Sequence, residues 1–174
     1  MARLKVGDVF EIPLSEDRVA YGQYVYFDKK MGPLIRVFDL ITSNKVDVNF
    51  LKQRNPLFPP VITGLMAAIR TGLWKVIGHF PVNQFTYPNF VTTFHDQKTG
   101  KAGIWSIWNG EKFITIGPNL PMEYKKLEFL IVWDPHDVVH RIETGEYLFP
   151  YADLIQKNEY TPREILPKDK SNVS

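Results

Sequence analysis

Two histidines four residues apart, His136 and His140, form the pair whose spacing most directly suggests chemistry. On a helix that spacing sets both imidazoles on one face. The H-E-x-x-H zinc helix uses the same arrangement, with its glutamate activating water. Here the segment reads His-Asp-Val-Val-His, so Asp137 replaces the glutamate with a side chain one methylene shorter. No spacing marks a third ligand, although His79 and His95 are free to approach in a folded chain. An ordinary exposed helix face accounts for the same pattern, and no cofactor is expected.

Nucleophile signatures are weaker. The chain has no G-x-S-x-G elbow, no Walker A loop and no G-x-G-x-x-G fingerprint. Ser15, Ser43 and Ser106 lie in turn or strand contexts with no histidine nearby in sequence. With Cys 0, thiol nucleophiles, thiolate zinc sites and disulfide frameworks are excluded. Recognition is therefore the better expectation than turnover. Its candidate residues are an acidic group, Glu128, Asp134, Asp137, Glu143 and Glu146, which faces a single base, Arg141, between Glu128 and Glu146. Such a group steers a basic partner, or else complements a helix N-terminus. Trp108 and Phe113 are the aromatic candidates, because interface anchors favour such rings. Tyr21, Tyr24 and Tyr26 also lie along one segment, where cross-strand packing explains them.

These residues need elements to hold them. Val9–Leu14 places Phe10, Ile12 and Leu14 on one face, and Val19–Phe27 reads as a strand with a bulge or close approach at Gly22. Leu34–Ile41 reads as a largely buried strand, and the three together predict an antiparallel meander. Ile62–Arg70 reads either as a short helix ending at Gly72 or as a strand followed by one turn. Leu73–Ile77 reads as a buried strand stopped by Gly78 and Pro81. Asn109-Gly110 between two apolar runs predicts a hairpin with a two-residue turn. That register pairs Trp108 with Glu111 and places Trp105, Ile107, Ile114 and Ile116 on a core face. Ile104, Trp108 and Phe113 then lie on the opposite face, against a covering helix or another molecule. Met122–Glu128 is helix-friendly. Asp134-Pro135 predicts a helix start, Val138, Val139 and Ile142 its buried stripe, and Gly145 its end.

With 174 residues, 44% hydrophobic and 23% charged, the chain has the make-up of a folded globular protein. The expectation is one α+β domain over residues 1–170, with a frayed tail at 171–174. Its core is an antiparallel β-sheet or partly open barrel, with helical elements near the C-terminus. The 12 Phe, 8 Tyr and 4 Trp favour strands. The first 87 residues hold 11 basic and 7 acidic side chains, the remaining 87 hold 10 and 12, and the net charge is +2. That balance predicts no nucleic-acid partner, with only Lys29-Lys30 and Lys52/Arg54 hinting at a basic groove. No apolar run reaches the length of a membrane helix, and the N-terminus lacks a signal-peptide core. A cytoplasmic protein with no membrane partner is expected.

Gly7-Asp8-Val9-Phe10-Glu11-Ile12-Pro13-Leu14, then Tyr21-Gly22-Gln23-Tyr24-Val25, then Val37-Phe38-Asp39-Leu40 resemble the opening of the immunity protein 26 family. The later Gly72-Leu73-Trp74-Lys75-Val76-Ile77-Gly78 resembles that family's central strand. The resemblance implies a bacterial cytosolic protein that binds a cognate polymorphic toxin and neutralises it stoichiometrically. The family is grouped in name with a small organophosphate-hydrolysing protein. That grouping, with His136 and His140, defines the alternative of a metal-assisted phosphotriester or phosphoester hydrolase. A small nucleic-acid-binding β domain is the third reading.

Overall fold

The computed structural model describes residues 3–96, 98 and 101–147. Within them the chain runs through β1 (Asp8–Pro13), β2 (Val19–Asp28), β3 (Gly32–Thr42), α1 (Val48–Leu51), β4 (Val61–Thr63), α2 (Leu65–Arg70) and β5 (Lys75–His79). It continues with β6 (Phe90–Asp96), β7 (Lys101–Trp108), β8 (Phe113–Gly117), a 3-10 turn (Met122–Tyr124), β9 (Glu128–Phe129), β10 (Val132–Trp133) and α3 (Pro135–Thr144). Contacts group these elements into two compact units, one up to Phe85 with Val132–Glu146, the other Thr86–Ile131 with Tyr147. The α+β class is the one expected. Both sheets are open, and each mixes antiparallel pairs with one parallel pair. The tail at 171–174 lies outside the described residues.

The first unit holds a six-stranded sheet in the order β10-β4-β3-β2-β1-β5. Its centre is the predicted meander. Asp28 Oδ1 accepts from the backbone N–H groups of Lys30 and Met31 at 2.7 and 2.9 Å, closing the turn into Gly32 (φ 105°). Alternate residues of β1 serve opposite faces. Val9 joins a cluster with Tyr21, Phe38, Leu40, Leu51 and Phe80. Phe10 stacks on Trp74 at 5.4 Å between ring centroids and 3° between planes. Gly22 makes that stack possible, because a Cβ there would lie 2.6 Å from Phe10 Cε2. Of the three tyrosines, Tyr21 and Tyr24 are core, and the exposed Tyr26 stacks on Phe85.

Both readings of Ile62–Arg70 hold in part: a strand, β4, then a one-and-a-half-turn helix, α2. Leu73–Ile77 differs from expectation. Trp74 is buried, but the strand begins at Lys75 and forms a sheet edge with Lys75 and Val76 exposed. Helix α3 forms as its residues dictate. Asp134 Oδ1 accepts from His136 N at 2.8 Å as the cap, Pro135 opens the first turn, and Gly145 closes it at φ 75°. Val138 and Ile142 are buried. So is Arg141, whose guanidinium lies 4.1 Å from the Phe58 ring centroid and 5.0 Å from that of Trp133.

The second unit holds the sheet β8-β7-β6-β9. Its hairpin is shifted from the expected register: Trp108 pairs with Phe113 and Ile107 with Ile114. Asn109 does not take a left-handed φ, as Gly110 alone does at 93°. The Asn109 side chain instead accepts from the backbone N–H of Glu111 and Lys112, both at 2.9 Å. Strand pairing ends at Trp108 and Phe113, so residues 109–112 make the connection, with the left-handed backbone at Gly110. Trp105 and Ile107 enter the core with Val91 and Phe129, and Ile116 packs partly buried against it. Ile114, on the edge strand, stays exposed. Met122–Glu128 forms only the 3-10 turn, because Leu120, Tyr124 and Leu127 all turn into that core and an isolated helix so short gains little.

Replacing Gly22 with alanine pushes a methyl into a ring that Trp74 holds from its other face. We expect Gly22→Ala to cost about 1–3 kcal/mol in urea unfolding, whereas Gly32→Ala loses only what its positive φ imposes.

Candidate functional site

The aromatic candidates separate on folding. Trp108 is 1% exposed and Phe113 is 54% exposed, although their centroids lie 4.8 Å apart. Tyr87 covers the indole: its hydroxyl accepts from Trp108 Nε1 at 3.0 Å, and its ring lies where a Cβ on Gly110 would be. A loop residue, not a helix, therefore shields that part of the expected outer face. Trp108 is a packing residue of the second unit, and Phe113 and Ile104 are the members that meet solvent.

The acidic candidates separate too. Glu128 is buried in the second unit, where it accepts from the Tyr147 hydroxyl at 2.7 Å. The others belong to α3 and its flanks in the first unit. Asp134 caps the helix, and Asp137 lies in its first turn. Glu143 accepts from Ser15 N at 2.7 Å and Ser15 Oγ at 2.6 Å, with Arg18 Nη2 at 3.7 Å. Burial pushes its carboxyl upward, but the Ser15 hydrogen bonds and the Arg18 charge outweigh that and hold it below the usual range. Glu146 Oε2 lies 3.4 Å from His140 Nε2, and His136 Nδ1 lies 3.1 Å from Asp134 Oδ1. The two histidines thus pair with separate acids. Among the described residues no group of three or more His, Asp or Glu side chains converges as metal ligands.

A different pair lies at a groove of about 700 Å³ along the edge strand β5. Asp8 Oδ1 is 2.9 Å from His79 Nδ1, and Asp8 Oδ2 accepts from Lys5 N at 2.9 Å. The β1–β5 register sets Asp8 opposite His79. Gly7 (φ 100°) is a requirement of the same contact, since a Cβ there would lie 2.5 Å from His79 Cε1. With Nδ1 turned to the carboxylate, Nε2 is the ring nitrogen left for a ligand. Leu4, Ile69, Trp74 and Val76 line the groove, and Trp74 Nε1 is buried without a protein acceptor. Arg3, Lys5 and Lys75 also line it and no Ser, Thr or Cys does, so the arrangement offers an apolar surface flanked by cations and the Asp8–His79 pair. Sequence reasoning offered His79 only as a ligand for the distant histidine pair and did not join it to Asp8, because 71 positions separate the two. Their only trace is two similar dipeptides, Gly7-Asp8 and Gly78-His79.

Fold and site define a small α+β protein with a groove lined by apolar side chains, three cations and an aspartate–histidine pair. The family model for immunity protein 26 matches residues 5–102, more than half of the 174-residue chain, and the chain belongs to that family. Comparison with curated proteins and with solved structures gives no match. The matched stretch contains β1–β5, and with them Asp8 and His79. No helix of the described residues is long and apolar enough to cross a membrane.

Two outcomes follow. Trp108→Ala removes a buried ring and its hydrogen bond, for a loss of about 3–5 kcal/mol in chemical unfolding, and Phe113→Ala costs considerably less. Glu143 has a lowered folded pKa, so its contribution is complete well above the unfolded value of 4.5 and disappears as pH falls through the folded one. The stability gap between wild type and Glu143→Gln should therefore be full at neutral pH and close below about pH 4.5. A gap that persists through that range would show that the Ser15 contact is not charge-dependent.

Proposed function

We propose that this chain is an immunity protein that binds a cognate bacterial toxin and neutralises it by stoichiometric inhibition in the cytoplasm. The observation that carries the proposal is the family match across the strands β1–β5. Blocking a toxin requires a shaped surface and no turnover. Two features suit that role: the groove with its Asp8–His79 end, and the exposed apolar residues Phe94, Ile104 and Phe113 of the second unit. Of the acidic candidates, Asp137 and Glu146 suit a partner best, since Asp134 caps α3 and Glu128 and Glu143 are engaged within the chain.

The test is co-expression in a bacterial host of this chain with the toxic domain of any large toxin-like reading frame found directly upstream of its gene. Protection of growth, with co-elution at a fixed ratio, is the expected result. Toxicity undiminished by an excess of the folded chain would overturn the proposal. Within a protective pair, Phe113→Ala should weaken binding by about tenfold or more, in keeping with an exposed aromatic anchor.

A further inference from the structure

A second concavity in the first unit, about 420 Å³, has a different chemistry from the groove. Its floor is set by β2 and β3, where Gln23 and Arg36 are cross-strand partners and share a face. Phe80, following β5, and Lys52, following α1, form its sides, with Lys52 Nζ 5.7 Å from the Phe80 ring centroid. Four elements distant in sequence therefore converge on it.

The charges there are unbalanced. Arg54 also lines the cleft, but its Nε is 2.9 Å from Asp39 Oδ1, so that charge is answered. Arg36 is half-buried, and its contact is Nη2 donating to the carbonyl of Asn83 at 3.2 Å. No carboxylate of the described residues forms an ion pair with Arg36 or Lys52, and none lines the cleft. Burial lowers the pKa of the Arg36 guanidinium, a sign of the cost of holding that cation away from water. Gln23 supplies the second observation. It is 0% exposed, and its Nε2 donates to the carbonyls of Phe80 at 2.8 Å and Gly7 at 3.4 Å. Those two acceptors fix the amide's orientation and leave Oε1 buried with no donor.

We propose that this cleft receives an acidic side chain of a protein partner, its carboxylate held by Arg36 and Lys52. The proposal rests on the toxin-binding reading and names the chemistry of the surface recognised. A guanidinium fork matches a carboxylate in two parallel hydrogen bonds. Gln53, Asn55, Asn83 and Gln84 at the rim carry the mixed donors and acceptors that a peptide backbone needs. Two unanswered cations suit one carboxylate; a nucleic-acid strand would require a row of them.

The test uses the full chain with nitrogen-15 labelling and the blocked peptide acetyl-Gly-Glu-Gly-amide as probe. Saturable shifts of the Gln23 side-chain amide and the Arg36 Nε signal are expected. The glutamine counterpart of the peptide should bind at least about tenfold more weakly, since it removes the charge that makes such bonds strong. Arg36→Gln and the exposed-site variant Lys52→Gln should each reduce the response, while Lys112→Gln in the second unit leaves it unchanged. Equal response to both peptides, no response at the cleft, or tighter competition by inorganic phosphate or a single-stranded oligonucleotide would each overturn the assignment. In the co-expression assay, Arg36→Gln with Lys52→Gln should lose protection while keeping the wild-type amide spectrum elsewhere. Peptide binding without protection by the wild-type chain would refute the toxin reading and leave the site standing. Protection with a silent cleft would refute the site alone.

Discussion

The stack of Phe10 on Trp74 over Gly22 is the contact on which the first unit depends. Phe10 sits in β1, one strand in from the β5 edge, and Trp74 sits immediately before that edge strand. A ring pair with nearly parallel planes and no side chain beneath it can form in one register only. Between Val9 and Phe10 the β1–β5 register shifts, and past that shift Asp8 lies opposite His79, where Gly7 accepts the imidazole without a Cβ. The polar end of the groove therefore depends on that irregularity as well as on the apolar stack. Close packing transmits position in this way because interiors leave few gaps to absorb a shift.

Much of the polar chemistry suggested by residue type is used to hold the fold together. Glu143 ties the turn after β1 to α3 through Ser15, Glu128 is held by Tyr147, and Asp134 satisfies the first turn of α3. Arg141, the one base among those acids, is stacked between aromatic rings. Burying a polar group costs free energy that a hydrogen-bonding partner offsets, and pairing removes these groups from the surface a partner meets. The unbalanced groups lie elsewhere, at Arg36, Lys52 and Gln23, among residues whose types drew little attention in the linear chain. Lys52, as half of the Lys52/Arg54 hint of a basic groove, is the exception, and its cleft proves to be a short pocket and not a track.

The hairpin shows how a local preference yields to packing. Asn109-Gly110 favours a turn with both residues left-handed. Moving the tip by one residue lets the Asn109 side chain bond two backbone N–H groups and sets Trp108 directly opposite Phe113. The indole then finds the Tyr87 hydroxyl, so its burial leaves no orphan donor. Directly opposed residues share a face of the sheet, so the Tyr87 cover over Trp108 separates the two rings, and Phe113 on the edge strand stays in contact with water.

The linear sequence determined those features whose partners lie within a few residues: the meander, the capped and glycine-terminated α3, the α+β class and the family-like segments. Each rests on backbone dihedral preferences and short-range hydrogen bonds that a residue carries wherever it sits. Tertiary structure decided the rest. It drew Asp8 to His79 across 71 positions, converted Trp108 from a surface ring to a core one, and gathered Gln23, Arg36, Lys52 and Phe80 around one cleft. Those outcomes depend on how much apolar surface a given register buries over whole sheets, a sum to which no single position in the chain holds the key.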